Sequence, residues 1–341
     1  MKKRIVSVIQ YIFFLCIGLL LLYLVFRKLD MALVWEEIRS AHYEWLLLSI
    51  FFGILSHIVR AIRWNILIKS LGYETRTDIT FYSVMVGYLA NSAFPRLGEV
   101  TRCAVLSKKS GVPFNSLFGT VISERVFDLF VLILILVAVV FFQLEFLKGF
   151  VDKYFLSSIE GYFNAQSVLV LVLIALAVIL LPLILFRLFF EKIKHFALYK
   201  RVSDFVRGLF EGVKTIMKMK HKLEFILLTI LLWGFYVLMT FVAFFAIDAT
   251  SGLNFLDGIT IMAIGSLGIV APVPAGIGAY QFIVKAILVE IYLIPSEPAA
   301  SFSIIMWITQ VILILGVGAL SYYMLLMKKN VKNEKDPDRD T

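Results

Sequence analysis

The segment NSAFPRLGEVTR, which begins at Asn91, places charged side chains directly after an apolar stretch. Arg96, Glu99 and Arg102 are spaced by three, so a helix that begins after the proline would align them on one face. Guanidinium groups match the oxygens of a phosphate and keep their charge at any physiological pH. The spacing therefore predicts a site for a phosphate-bearing group, and Asn91 either contacts that group or satisfies the broken backbone.

A second charged group is the segment SERVFD, residues 123–128. Glu124 and Asp128 are four apart and share a helix face, and Arg125 is placed to pair with Asp128 three residues further on. Ionisable groups at membrane depth are costly, so they should face an interior cavity and pair with each other or with a substrate. The carboxylates would neutralise arginines, carry protons or act as a general base. A structural salt-bridge network at the cytoplasmic rim is the alternative.

Two more arginines lie in the otherwise apolar segment HIVRAIRWNILI. Arg60 and Arg63 are three apart and therefore lie on one helix face. Two interpretations stay open. Near a cytoplasmic helix end the two side chains would extend to the membrane surface, whereas in the interior they would contact a headgroup phosphate.

The composition restricts the elements that must position these residues. The chain is 61% hydrophobic and has a mean hydropathy of +0.92 over 341 residues. Several apolar runs reach the roughly 20 residues that span a bilayer as a helix, and they are continuous rather than alternating, which excludes a β-barrel. The sequence therefore predicts an all-α polytopic membrane protein.

We predict about six full spans. They are the N-terminal run up to residue 26 and the runs 45–68, 126–142, 168–190, 223–247 and 299–327. The connection 191–222 carries nine Lys or Arg against three acids. Because positively charged loops are retained inside, we expect this connection and both termini to be cytoplasmic.

Two further apolar stretches do not fit simple spans. The first, 79–94, ends at a proline and leads into a segment that must return to the cytoplasm. The second, 259–294, contains PVPAGIGAYQ, whose prolines and glycines break a helix. We predict two re-entrant helical hairpins that enter from opposite faces. The alternative is two ordinary short spans joined by tight turns.

Re-entrant backbone is tolerated only where protein or a watery cavity surrounds it. Two opposed hairpins resemble the broken-helix plan of secondary transporters, whose site lies near the midplane. Gln281 and Lys285, four apart after the second break, are weaker candidates for that cavity, and Lys285 has an alternative partner in Glu290.

The domain prediction is a single transmembrane domain, 1–327, followed by a disordered cytoplasmic tail, 328–341. Within it, 191–222 shows apolar residues at helical spacing among basic ones, which predicts an amphipathic helix along the inner leaflet. A solvated connector helix is the alternative. The net charge of +9 is concentrated there, so it indicates membrane topology rather than nucleic-acid binding. The four histidines and two cysteines form no cluster, so we expect no metal site, disulfide or cofactor.

The chain resembles the lysylphosphatidylglycerol synthase/flippase-like transmembrane family, the membrane region of multiple-peptide-resistance factors. The segments RAIRW, NSAFPRLGEVTR, SERVFD and PVPAGIGAYQ carry this resemblance, in that order, and it covers about residues 5–327. It implies handling or translocation of polar lipids, which are aminoacylated phospholipids in the best-known branch. Other branches are tied to glycolipid or polyprenyl-linked sugar pathways. The soluble aminoacyl-transferase domain is missing after Met327, so we expect no aminoacyl transfer. Ala275 occupies a position where the resemblance implies glycine.

The sequence therefore predicts a lipid flippase of the cytoplasmic membrane rather than an enzyme. The alternatives are a membrane-embedded lipid-modifying transferase with Glu99, Glu124 or Asp128 as general base, and a scaffold without a substrate. Membrane lipids are the expected partners, and a homo-oligomer or a lipid-synthesising enzyme stays open. No residue is assigned as catalytic. The candidate substrate-binding residues are Arg60, Arg63, Asn91, Pro95, Arg96, Gly98, Glu99, Arg102, Glu124, Arg125, Asp128, Pro272, Pro274, Gly276, Gly278 and Gln281.

Overall fold

The computed structural model describes residues 2–94, 97–142, 219–270 and 273–327. Within these ranges the secondary structure is helical, which confirms the predicted all-α class. The helices are α1 (Lys2–Phe26), α2 (Met31–Arg39), α3 (Tyr43–Lys69), α4 (Thr77–Ala93), α5 (Leu97–Ser110), α6 (Phe114–Phe142), α7 (Lys222–Ala243), α8 (Phe255–Val270), α9 (Ala279–Glu290) and α10 (Ser296–Met327).

Some predictions fall outside the described residues. They concern Pro95, Arg96, Pro272, the span 168–190, the amphipathic segment 191–222 except for its last four residues, and the tail 328–341. The described residues of 1–139 and 217–341 form one compact unit, and the description below concerns that unit.

Three described helices are long and apolar enough to cross a membrane, namely α3, α7 together with its 3-10 extension, and α10. Helix α3 has 27 residues and is therefore about 40 Å long, against a hydrocarbon core of about 30 Å. These helices confirm the predicted runs 45–68, 223–247 and 299–327 as helical spans. The total of six spans and the sidedness of the termini stay predictions.

Helix α6 begins earlier than expected. The predicted run 126–142 is only the C-terminal part of a 29-residue helix that starts at Phe114. Pro113 directly precedes this start, as suits a residue that lacks the backbone N–H a helix interior requires. Glu124 and Asp128 are therefore inside a continuous helix, where their spacing of four places them on one face.

The segment of the first predicted hairpin forms two packed helices, α4 and α5. The re-entry of both hairpins into the membrane stays a prediction. Asn91 Oδ1 accepts a hydrogen bond of 2.6 Å from the Gly98 backbone N–H, so the Asn91 side chain satisfies a backbone donor at the start of α5. A Cβ atom at Gly98 would overlap the carbonyl oxygen of Gly87 and the Asn91 amide. The absence of a side chain at Gly98 therefore sets how closely α4 and α5 approach.

The second predicted hairpin consists of α8 and α9 joined by a short 3-10 turn, Pro274–Gly276. The chain reverses through left-handed conformations, with φ of +49° at Ala275, +70° at Gly276 and +77° at Gly278. Ala275 thus adopts a conformation that favours glycine, which agrees with the implied glycine at this position. Trp307 Nε1 donates a hydrogen bond of 2.8 Å to the Ala275 carbonyl oxygen and fixes the turn against α10.

The second hairpin also packs on α1. Gly18 lies against the Ile277 carbonyl oxygen, which a Cβ atom at Gly18 would approach to 2.9 Å. Lys285 Nζ donates a 3.0 Å hydrogen bond to the Val25 carbonyl oxygen, in the last turn of α1, where a cation is favoured by the helix dipole. Lys285 therefore anchors α1 to α9. Gln281 accepts the Gly278 N–H at 2.8 Å and caps α9.

Candidate functional site

A buried cluster of arginines and carboxylates joins α3 to α6. Arg60 Nη1 lies 2.6 Å from Glu124 Oε1 and 3.3 Å from Asp128 Oδ2. Arg63 Nη2 lies 3.1 Å from Glu124 Oε1, and Arg63 Nη1 lies 2.7 Å from Asp128 Oδ1. Each arginine thus contacts both carboxylates. All four residues are buried, so the interpretation that Arg60 and Arg63 extend to the membrane surface was wrong.

Helix α7 completes the surroundings of the two arginines. Arg60 Nη2 donates a 2.8 Å hydrogen bond to Tyr236 Oη, and Arg63 Nη1 donates a 3.1 Å hydrogen bond to Thr229 Oγ1. The Arg63 guanidinium also lies over the Phe225 ring, 5.2 Å from its centroid. Sequence reasoning missed Thr229 and Tyr236. The available signal was two polar residues seven apart, and hence on one side, in the apolar stretch of α7 between Glu224 and Thr240.

Arg102 extends the cluster from α5 but is bound differently. Its Nη2 atom lies 3.3 Å from Glu124 Oε2, an ion pair without hydrogen-bond geometry. The guanidinium stacks on the Trp64 ring at 4.8 Å from the centroid, and Trp64 Nε1 in turn donates to Thr120 Oγ1 at 2.8 Å. The Nε and Nη2 atoms of Arg102 are buried without a hydrogen-bond partner. Arg60 and Arg63 also have a buried Nε without a hydrogen-bond partner, but of these three arginines Arg102 lines the cleft between α4, α5 and α6. Arg102 is therefore the one whose free donors a ligand in that cleft would reach.

Arg125 pairs with a different carboxylate than the spacing suggested. Its Nη2 atom lies 3.0 Å from Glu99 Oε1 of α5, and the side chains are 39% and 26% exposed. The prediction that Arg125 binds Asp128 was wrong, because Asp128 faces α3 and is taken there by Arg60 and Arg63. The Glu99–Arg125 pair is therefore the more accessible part of the cluster.

A narrow cleft lies between α4, α5 and α6. It is lined by Val84, Gly87, Tyr88, Asn91, Gly98, Glu99, Arg102 and Arg125. The space inside that is open to the centre of a water molecule is about 10 Å³, which is about enough for one water. The polar cavity for a headgroup that the sequence predicted is thus not open here, and a phosphate would enter only after α4, α5 and α6 separate.

The cluster has an excess of positive charge. Arg60, Arg63, Arg102 and Arg125 face three carboxylates, those of Glu99, Glu124 and Asp128. One positive charge is therefore uncompensated among these described groups. Because an unpaired charge is costly in a buried environment, an anion at this site would be stabilised.

The predicted site residues of the second hairpin form a separate group. Gly278 and Gln281 bond to each other, and the Pro274–Gly276 turn is held by Trp307. Helix α4 connects the two groups, since it lines the cleft and also packs on this turn. Among the described residues, no three His, Cys, Asp or Glu side chains are grouped to hold a metal ion.

Membrane-length helices around buried, paired charges define a multi-helix membrane protein. Residues 8–318 match the family model described as the lysylphosphatidylglycerol synthase TM region. The chain belongs to this family, which confirms the resemblance noted from its motifs, and its function is related to membrane lipids.

Three relatives are informative. The chain is 30% identical over 130 residues to a UPF0104 membrane protein of Methanocaldococcus jannaschii, which covers 37% of this chain and 36% of the relative. It is 24% identical over 275 residues to a UPF0104 membrane protein of Pyrococcus horikoshii, covering 74% and 78%. A third match, 30% over 77 residues, is to glycosyltransferase AglD of Haloferax volcanii and covers 22% of this chain and 12% of that one. No solved structure matches.

Proposed function

We propose that this protein is a flippase that moves a phosphate-bearing lipid across the cytoplasmic membrane. The observation that carries the proposal is Arg102, whose Nε and Nη2 atoms are buried without a hydrogen-bond partner beside a cleft that Glu99 and Arg125 also line. A phosphate oxygen would satisfy those donors. The acyl chains would meanwhile stay in the surrounding lipid.

The arginines divide into two groups with different roles. Arg60 and Arg63 each contact both Glu124 and Asp128, so they hold α3 against α6 and set the positive potential of the site. Arg102 and Arg125 face the cleft and are the groups that a headgroup would contact. A phosphate would displace Glu99 from Arg125, because both anions compete for the same guanidinium.

The hairpins supply the movement that the cleft requires. Helices α4 and α5 meet through Gly87 and Gly98, small residues that let the two backbones approach closely. Helix α4 also packs on the Pro274–Gly276 turn, so displacement of one hairpin would be transmitted to the other. Alternate opening of the two hairpins would give the headgroup access first from one leaflet and then from the other.

The family supports a lipid whose headgroup contains a phosphate. Its description refers to lysylphosphatidylglycerol, whose phosphate is the group that Arg102 would bind, so an aminoacylated or glycosylated headgroup fits the proposal. The sequence contains no GxxxxGK[ST] phosphate loop, which favours facilitated movement or coupling to an ion gradient over direct use of ATP. The proposed partners are membrane lipids, a second copy of the chain or a lipid-synthesising enzyme.

The test is transport in liposomes that contain the full chain and phosphatidylglycerol with a fluorescent headgroup. Fluorescence that a membrane-impermeant reductant removes reports the outer leaflet, and wild-type protein should increase the removable fraction with time. Arg102→Gln should slow this at least about tenfold, since hydrogen bonds to charged groups contribute about 1.5–3 kcal/mol. Arg76→Gln, which alters an exposed ion pair with Asp78, is the control and should transport normally.

The proposal would be abandoned if wild-type vesicles moved none of a broad panel of anionic lipids faster than protein-free vesicles. If wild type and Arg102→Gln transported the lipid at equal rates, the headgroup would not bind in the cleft, even though the protein is a transporter.

A second candidate function is a membrane-embedded lipid-modifying transferase, which the match to glycosyltransferase AglD favours. Glu99 is the carboxylate best suited as general base, because it is partly exposed and contacts one arginine, whereas Glu124 and Asp128 each contact at least two. Mass spectrometry of lipids incubated with activated sugars would detect a mass gain with wild-type protein and none with Glu99→Gln. Unchanged lipids would exclude this function for those donors.

A further inference from the structure

His57 is a buried titratable group beside the cluster of arginines and carboxylates. The proposed transport mechanism gives it no role. It lies in α3, one helical turn before Arg60, and is only 7% exposed. Its ring is 4.8 Å from the Tyr88 ring between centroids, and its Nδ1 atom has no hydrogen-bond partner. Tyr88 itself lines the cleft. The imidazole therefore contacts a residue that lines the proposed anion site.

The charged and titratable groups near His57 come from α3 and from helices that pack on it. Helix α3 itself supplies Arg60. Helix α4 supplies Tyr88, and α7 supplies Tyr236, which Arg60 binds. Helix α10 has no Asp, Glu, Lys, Arg or His in residues 298–327. The carboxylates nearest to Arg60 belong to α6 and are engaged by the arginines, so the imidazole adjoins a net positive cluster.

We propose that His57 takes up one proton when an anionic headgroup binds in the cleft, so that lipid movement is coupled to protons. This inference rests on the proposed function. In the empty site, burial of the imidazole and then the positive charge of Arg60 and its cluster oppose a positive charge on His57. A bound phosphate cancels that charge, and a proton from water then binds the imidazole lone pair. The proton returns to water when the headgroup leaves.

The coupling is reciprocal. If a bound anion favours protonation of His57, then protonation of His57 must strengthen anion binding by the same factor. The apparent Kd should therefore fall as the pH falls towards the pKa of His57 in the lipid complex. Because one proton is involved, the Kd changes by at most about tenfold per pH unit.

The test is titration calorimetry of the purified full-length chain with dioctanoyl phosphatidylglycerol. The binding heat is measured at one pH in buffers that differ in ionisation enthalpy, since the slope against that enthalpy gives the number of protons taken up. Wild-type protein should take up a substantial fraction of one proton per lipid, and His57→Gln should bind with a slope near zero. His42→Gln changes an exposed histidine at the N-terminus of α3 and should retain the wild-type slope.

The outcomes separate this inference from the proposed function. Binding by wild-type protein without proton uptake would overturn the coupling and leave the transport proposal standing. Equal uptake by wild type and His57→Gln would overturn the assignment to His57. Absence of binding would reject the proposed anionic substrate and this inference with it. If His57→Gln does not fold, the same calorimetry is done with His57→Asn. The pH dependence of the Kd of wild-type protein then tests the coupling independently.

Discussion

Arg60 Nη1 lies 2.6 Å from Glu124 Oε1, although the two residues are 64 positions apart in the chain and belong to different helices. The same carboxylate oxygen is 3.1 Å from Arg63 Nη2, and its partner oxygen faces Arg102 at 3.3 Å. Glu124 is thus the carboxylate around which α3, α5 and α6 are assembled. Its removal would affect three arginines at once.

Glu124→Gln should therefore destabilise the protein strongly. Removing one partner of a buried ion pair costs about 3–5 kcal/mol, because the remaining charges stay buried without compensation. Thermal unfolding of the protein in detergent, followed by the fluorescence of its tryptophans, should show a clearly lower midpoint. Glu44→Gln, at an exposed carboxylate, should leave the midpoint nearly unchanged. Similar midpoints for both variants would mean that the cluster does not hold the helices together.

Gly98→Ala should disturb the first hairpin. A Cβ atom there would overlap the Gly87 carbonyl oxygen and the Asn91 amide, so α4 and α5 must separate or the protein loses stability. We expect a lower unfolding midpoint and increased labelling of Cys103, a buried free cysteine of α5, by thiol reagents.

The matched control for this change is Gly119→Ala. A Cβ atom at Gly119, in α6, has no atom within 4 Å, and alanine favours a helix over glycine by about 1 kcal/mol. Gly119→Ala should thus raise stability slightly. If Gly98→Ala behaved in the same way, the close approach of α4 and α5 would not depend on glycine.

Glu99→Gln should strengthen the binding of anionic lipids. Glu99 competes with a phosphate for Arg125, 3.0 Å away, and a partly exposed pair of this kind contributes about 0.2–1 kcal/mol. The Kd for dioctanoyl phosphatidylglycerol should therefore decrease by up to about fivefold, as titration calorimetry would measure. A weaker affinity would indicate that Glu99 contacts the lipid itself.

Ala275→Gly should stabilise the second hairpin. Ala275 has a φ of +49°, which costs an L-residue about 1–2 kcal/mol, and glycine adopts it without this cost. Part of the gain is offset by the greater entropy of glycine in the unfolded chain, so we expect a net increase of up to about 1 kcal/mol in the free energy of unfolding.

Ala286→Gly tests whether this effect is specific to the turn. Ala286 is an exposed residue inside α9, where glycine costs about 1 kcal/mol. Chemical denaturation of both variants should therefore give changes of opposite sign. A loss of stability in both would show that Ala275 is not strained.

Much of the fold follows from local features of the sequence. Apolar runs of membrane length specify helices because backbone groups must be satisfied within the segment in lipid. The break between α4 and α5 follows from Pro95, and the turn after α8 follows from glycines at 276 and 278 that adopt positive φ. These decisions depend on a few neighbouring residues, so the pattern alone reveals them.

The partners of the charged residues were decided by the tertiary structure. Spacing placed Glu124 and Asp128 on one face, but only the packing of α3 on α6 shows that this face meets Arg60 and Arg63. Arg125 binds Glu99 of another helix rather than Asp128 of its own. Thr229 and Tyr236 join the cluster only because α7 packs on α3.

The physical reason for the difference is how far apart in the sequence the interacting residues are. Hydrophobic burial and helix breaks act through residues close in sequence, so the sequence alone determined a helical membrane protein with two broken segments. An ion pair depends on the positions of guanidinium and carboxylate groups to within a fraction of an ångström. Those positions are set by helices packed across more than sixty residues of chain, and only the folded structure decided them.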